Sequence, residues 1–74
     1  MTLDKINENE VCFIKNTKVS KIKRRITELG FIEGTAVKCL FKNSAGNMSA
    51  YLVRGTVFAI RKDDAELIEI ELIQ

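Results

Sequence analysis

A mainly β fold, a small and partly open barrel with one helix, is what this 74-residue sequence predicts. Three observations lead there. Five short stretches rich in β-branched and aromatic residues are separated by turn signals. One segment between the first two of them has helical periodicity instead. Chain length supplies the third: a chain this small buries only about 60–65 % of the surface its unfolded form exposes. Short strands on such a chain share one core only by curling round it, which also protects their edges.

The elements follow in order. "VCFIKN" (11–16) is short, apolar and β-branched, and reads as the first strand. Val19, Ile22, Ile26 and Leu29 then fall on one stripe of an α-helix, with Thr17 or Ser20 as N-cap and Gly30 at the C′ position. Phe31 turns back toward the core, and "IEG" forms a tight turn with Gly34 where a positive φ is needed. "TAVKCLFK" (35–42) alternates Val37, Cys39 and Phe41 against Lys38, Leu40 and Lys42. "NSAGN" (43–47) is a hairpin loop. "MSAYLVR" (48–54) and "TVFAIR" (56–61) are two strands joined tightly around Gly55. "KDDAE" is a turn or a single helical turn. In the last strand, "LIEIEL" (67–72), Ile68, Ile70 and Leu72 alternate with Glu69 and Glu71.

Composition excludes several functions. With 46 % hydrophobic and 30 % charged residues the chain is globular. It has no apolar run of the ~18 residues that span a bilayer, and "MTLDKINENE" is not a signal peptide, so a cytoplasmic protein without membrane insertion is expected. Cys12 and Cys39 lie within apolar strand patterns and are expected to be buried free thiols. There is no histidine, no CxxC and no glycine-rich phosphate loop. Ser20, Ser44 and Ser49 have no base to activate them, and Asp63 and Asp64 suit a turn better than a shared proton. No enzyme activity, cofactor or metal site is expected.

Charge is unevenly placed. Six cations (Lys15, Lys18, Lys21, Lys23, Arg24 and Arg25) lie between residues 15 and 25 without an acid, while residues 63–74 hold five acids and no base. With its apolar stripe inward, the helix presents Lys18, Lys21, Arg24 and Arg25 outward. Such a face either is simply solvated or docks an acidic partner, whose encounter it would steer. A nucleic-acid strand would need aromatic stacking platforms, and three of the five aromatics (Phe13, Phe31, Phe41, Tyr51, Phe58) are expected in the core, so no nucleic acid is expected.

"RRITELGFIEGTAVKC" resembles the central signature of the FeoA family, at Arg25, Ile26, Leu29, Gly30, Phe31, Gly34 and Val37. "FAIRKDDAELIEI" resembles its second signature, at Ala59, Ile60, Arg61, Ala65, Ile68 and Ile70. The chain departs from the family around its first strand, where a Pro-x-Gly turn is replaced by "ENE" and a glycine-rich turn by "NTK". The resemblance implies one SH3-like barrel of five to six strands over residues 1–74, with one α-helix between the first and second strands. It also implies a small accessory of bacterial ferrous iron uptake that docks on the cytosolic part of FeoB, a membrane transporter with a G-protein domain. The alternatives are a regulatory module acting with a metal-dependent repressor, or a nucleic-acid-binding small barrel. A chain starting at Met1 with no DNA-binding module favours a free-standing protein. The expected docking residues are Lys21, Arg24 and Arg25, with Tyr51 as an exposed aromatic anchor and Arg61 as a contact or an ion-pair partner. Gly30, Gly34 and Gly55 are expected to be structural turns, and an exposed strand edge is expected to allow weak homo-oligomers.

Overall fold

A computed structural model describes residues 1–17 and 32–72. Five strands form one antiparallel sheet: β1 Val11–Thr17, β2 Ala36–Lys42, β3 Met48–Val53, β4 Thr56–Arg61 and β5 Ile68–Leu72. The sheet order is β4-β3-β2-β1-β5, so β4 and β5 are its edges. One helical turn, α1 (Lys62–Ala65), joins β4 to β5, and a 3-10 turn covers Leu3–Lys5. This is the open, curled sheet the alternation predicts. The helix predicted over residues 19–29 and its Gly30 cap lie outside the described residues.

Two turns fix the registers. At the start of β2, Gly34 adopts a φ of +86°, the value a type II turn requires of its third residue. Its N–H donates to the Ile14 carbonyl at 2.8 Å, and the Ile14 N–H donates to the Thr35 carbonyl at 2.9 Å, so this turn locks β2 against β1. Between β3 and β4 the two-residue loop Arg54-Gly55 has φ +52° and +79°, the double left-handed pattern of a type I′ turn. Arginine in that conformation is uncommon, because a Cβ crowds the left-handed backbone.

Inward-facing side chains make an aliphatic core: Leu3, Ile6, Cys12, Ile14, Val37, Cys39, Val53, Ile60, Ala65, Ile68 and Ile70, with Tyr51 the one aromatic wholly inside among the described residues and Phe58 packed against them. Leu3 and Ile6 come from the N-terminal stretch, which the sequence pattern leaves without an element. They close one side of the core, while the Met1 carbonyl accepts the Ile70 N–H at 2.8 Å.

The alternation read in β2 fails after Cys39. Cys39 pairs with Tyr51, but Phe41 pairs with Ala50, so Leu40 is an extra residue in a β-bulge. Beyond it the faces exchange. Phe41, expected in the core, is 56 % exposed, and Lys42, expected outside, turns to the inner side and is half-buried. Leu72, which the alternation in the last strand groups with Ile68 and Ile70, is exposed, and so is Phe13. Of the aromatics expected in the core, Tyr51 is fully buried and Phe58 half-buried, while Phe31 lies outside the described residues.

Candidate functional site

The bulge at Leu40 creates the most chemically distinctive concavity among the described residues. Lys42, redirected by it, meets the 3-10 turn, the 43–47 loop and the start of α1 around a cavity of about 200 Å³. Asp4, Lys5, Lys42, Gly46, Ser49, Tyr51 and Lys62 line it. The Lys42 Nζ donates to the Asp4 carbonyl at 3.2 Å, and the Lys42 backbone N–H donates to Glu8 Oε2 at 3.3 Å. The Asp4 carboxylate is almost wholly buried, accepts the Thr2 hydroxyl, and lies 3.8 Å from the Lys5 ammonium. Three lysines and one carboxylate that is already partnered thus line the cavity.

The loop forming one wall is fixed by Asn43. Its side-chain oxygen accepts the N–H groups of Asn47 at 3.1 Å and Met48 at 3.2 Å, and its amide donates to Asn47 Oδ1 at 2.7 Å. Such side-chain capping holds a five-residue loop open beside Lys42 and Lys62 without a helix or sheet to support it. With a surplus of positive charge in its lining, the cavity suits an anionic group.

Two thiols inside the barrel are shifted by burial. Burial pushes the Cys12 thiol up to about 11, and the nearby Cys39 and Glu10 add to it. Burial also raises Cys39, with Lys42 opposing and Glu8 and Glu10 reinforcing. Both thiols are free and buried, as the sequence predicts, and a thiol held protonated is a poor nucleophile and metal ligand. Among the described residues no group of three or more Cys, Asp or Glu side chains is placed to hold a metal ion.

The predicted docking residues fare unequally. Lys21, Arg24 and Arg25 lie outside the described residues. Tyr51 is a correction: expected as an exposed anchor, it has 0 % exposure. On β3 it faces Cys39 on one side and Phe58 on the other, both on the inner surface, and burial pushes its phenol up to about 12, opposed by a side-chain hydrogen bond with Ser49. Arg61 is exposed and pairs with Asp64 at 3.5 Å, next to Lys62 of the cavity. Gly34 and Gly55 are the turns expected of them. Sequence reasoning missed Asp4, Lys5, Lys42 and Lys62; they are dispersed along the chain, and only the bulge and the loop bring them together.

The outer surface of β2, β3 and β4 is apolar for its position. Phe41, Ala50 and Ala59 form one cross-strand row, and Leu52 and Val57 another. Val57 is 57 % exposed, and Met48 is exposed at the end of β3.

A model of the FeoA domain matches residues 1–72. A sequence search among curated proteins finds no match. Among solved structures, the FeoA protein of Chlorobium tepidum superposes with a TM-score of 0.92 at 20 % identity, covering 100 % of this chain and 71 % of that one. The FeoA-like protein of Clostridium acetobutylicum gives 0.92 at 24 % identity, covering 100 % of this chain and 87 % of that one. Stenotrophomonas maltophilia FeoA complexed with zinc gives 0.85 at 26 % identity, covering 96 % and 89 %; it is described as a procaryotic SH3 domain protein and put forward as a ferrous iron transport activating factor. A manganese-dependent transcriptional repressor shares the fold alone, with a TM-score of 0.88 at 10 % identity over 97 % of this chain and 36 % of its own. The SH3-like barrel expected from the sequence is therefore the fold of its structural neighbours.

Proposed function

Because this chain belongs to the FeoA family, matched over residues 1–72, we propose that it is a non-enzymatic, cytoplasmic accessory of ferrous iron uptake that docks on the cytosolic part of a FeoB-like transporter. One observation carries the reading: the FeoA domain match over residues 1–72, on an SH3-like barrel whose described residues offer basic and apolar surfaces. Such a molecule acts by contact. Among the described residues no helix is long and apolar enough to cross a membrane, so contact with a transporter would run through that protein's own cytosolic parts.

The docking face is basic. Lys21, Arg24 and Arg25 supply it, with Arg61 as a further contact. Positive charge at such an interface raises the rate of encounter with an acidic surface more than it raises final affinity. The test is an NMR titration of labelled protein with the G-protein domain of the cognate transporter, repeated with Lys21→Glu, Arg24→Glu and Arg25→Glu combined. Wild type should show clustered shifts on residues 18–31, and the variant should keep its fold and bind at least tenfold more weakly. Undiminished binding by the variant would refute the face. Absence of binding to every cytosolic part of the transporter would refute the partner.

A further inference from the structure

We propose that two copies of this chain pair through the edge of β4 that no other described strand covers, antiparallel, about a two-fold axis at Ala59. The pairing rests on where the β4 backbone groups point.

β3 and β4 run in unbroken antiparallel register from Val53↔Thr56 to Met48↔Arg61. Bonded and non-bonded pairs alternate along such a ladder. The Lys62 N–H donates to the Asn47 carbonyl at 2.9 Å, which marks that pair as bonded. Stepping back by twos, Ile60, Phe58 and Thr56 direct their N–H and C=O groups to β3. Val57, Ala59 and Arg61 direct theirs away from the sheet, and all three side chains are exposed.

The opposite edge is not open in the same way. At β5 the Ile70 N–H already donates to the Met1 carbonyl at 2.8 Å, and Thr2 bridges Glu69. β4 also lacks the devices that blunt edges: it has no proline, no lysine and no bulge, and its one charge is Arg61 at the end.

A two-fold at Ala59 sets Ala59 against the partner's Ala59 and Val57 against the partner's Arg61. Three bonded pairs give about six main-chain hydrogen bonds. No like charges face each other across the seam. Extended past the strand ends, the same register carries each Arg54–Gly55 turn toward the partner's Asp63 and Asp64, two acids against the one cation of Lys62. The outer apolar row of Leu52 and Val57 continues across the joined sheets, which hides surface that each copy alone leaves in water. An interface built on one strand is small and therefore weak, with a dissociation constant roughly in the micromolar to millimolar range.

Sedimentation equilibrium and amide exchange across that concentration range test the pairing. The average mass should climb from 8.4 kDa toward twice that value. The amides of Val57, Ala59 and Arg61 should gain protection with concentration while those of Phe58 and Ile60 stay constant. Arg54→Asp separates pairing from folding, because Asp-Gly is a preferred type I′ turn and keeps the hairpin. It should weaken the dimer at least tenfold, and adding Asp63→Arg should restore it. A protein monomeric at millimolar concentration would overturn the proposal. So would a dimer that leaves the three edge amides unprotected, or one that Arg54→Asp does not weaken.

Discussion

Replacing Gly34 by alanine isolates the backbone cost of one turn. A Cβ built on Gly34 meets no atom within 4 Å, so the substitution neither clashes nor fills a void. What remains is conformational. At φ +86° an L-residue is disfavoured by roughly 1–2 kcal/mol. Stiffening the unfolded chain returns about 0.4–1 kcal/mol of that. The net loss is about 1 kcal/mol, a sizeable share of the roughly 3–5 kcal/mol that a core of this size supplies. In a chain of this length it should lower Tm by about 4–8 °C. The D-alanine variant, accessible by chemical synthesis, has its favoured φ at the positive value and keeps the unfolded-state effect, so it should be more stable than glycine by about 0.4–1 kcal/mol. Urea unfolding measures both, with an unchanged m-value showing that the same surface is exposed. The Gly34 N–H bond to Ile14 must survive in each variant, since β1–β2 pairing depends on it. An L-alanine variant as stable as wild type, or a D-alanine variant less stable than it, would refute the assignment of this turn's cost to φ.

Two further outcomes follow from the core. The Cys12 thiol keeps its proton to about pH 11 when folded but loses it near 9 when unfolded, and the Tyr51 phenol keeps its own to about 12 against 10. The unfolded state therefore binds fewer protons through this range, and stability, complete below pH 9, should fall as pH rises by up to roughly 1.4 kcal/mol per unit per group; urea midpoints at rising pH should show it, with Cys12→Ala shallower from its own lower starting stability. Phe41→Ser should change stability by no more than about 0.5 kcal/mol because the ring is exposed, whereas Ile70→Ala should cost about 2–5 kcal/mol and leave little folded protein, as circular dichroism on heating would record.

Much of the barrel is written in local pattern. Strands appear wherever β-branched residues alternate, and Gly34 and Gly55 mark turns because only glycine takes positive φ without cost. Leu3 and Ile6 escape notice because two apolar residues among polar ones define no period, although their core role is complete. Tyr51 shows a different limit. An aromatic in an alternating strand belongs to one of two faces, and only the register with Cys39 and Phe58 decides which. The cavity was the least legible part, since Asp4, Lys5, Lys42 and Lys62 share no spacing and meet only in the folded chain.

One inserted residue links these points. Without the bulge at Leu40, period-two alternation would keep Phe41 inside and Lys42 outside, which is how the sequence reads. With it, Phe41 joins Ala50 and Ala59 on the outer surface, widening the apolar row that ends at the β4 edge. The same exchange carries Lys42 over Asp4 and gives the cavity its third ammonium group. A bulge leaves the composition of a strand unchanged but reassigns every side chain after it, so the surface chemistry of this barrel depends on register as much as on residue type.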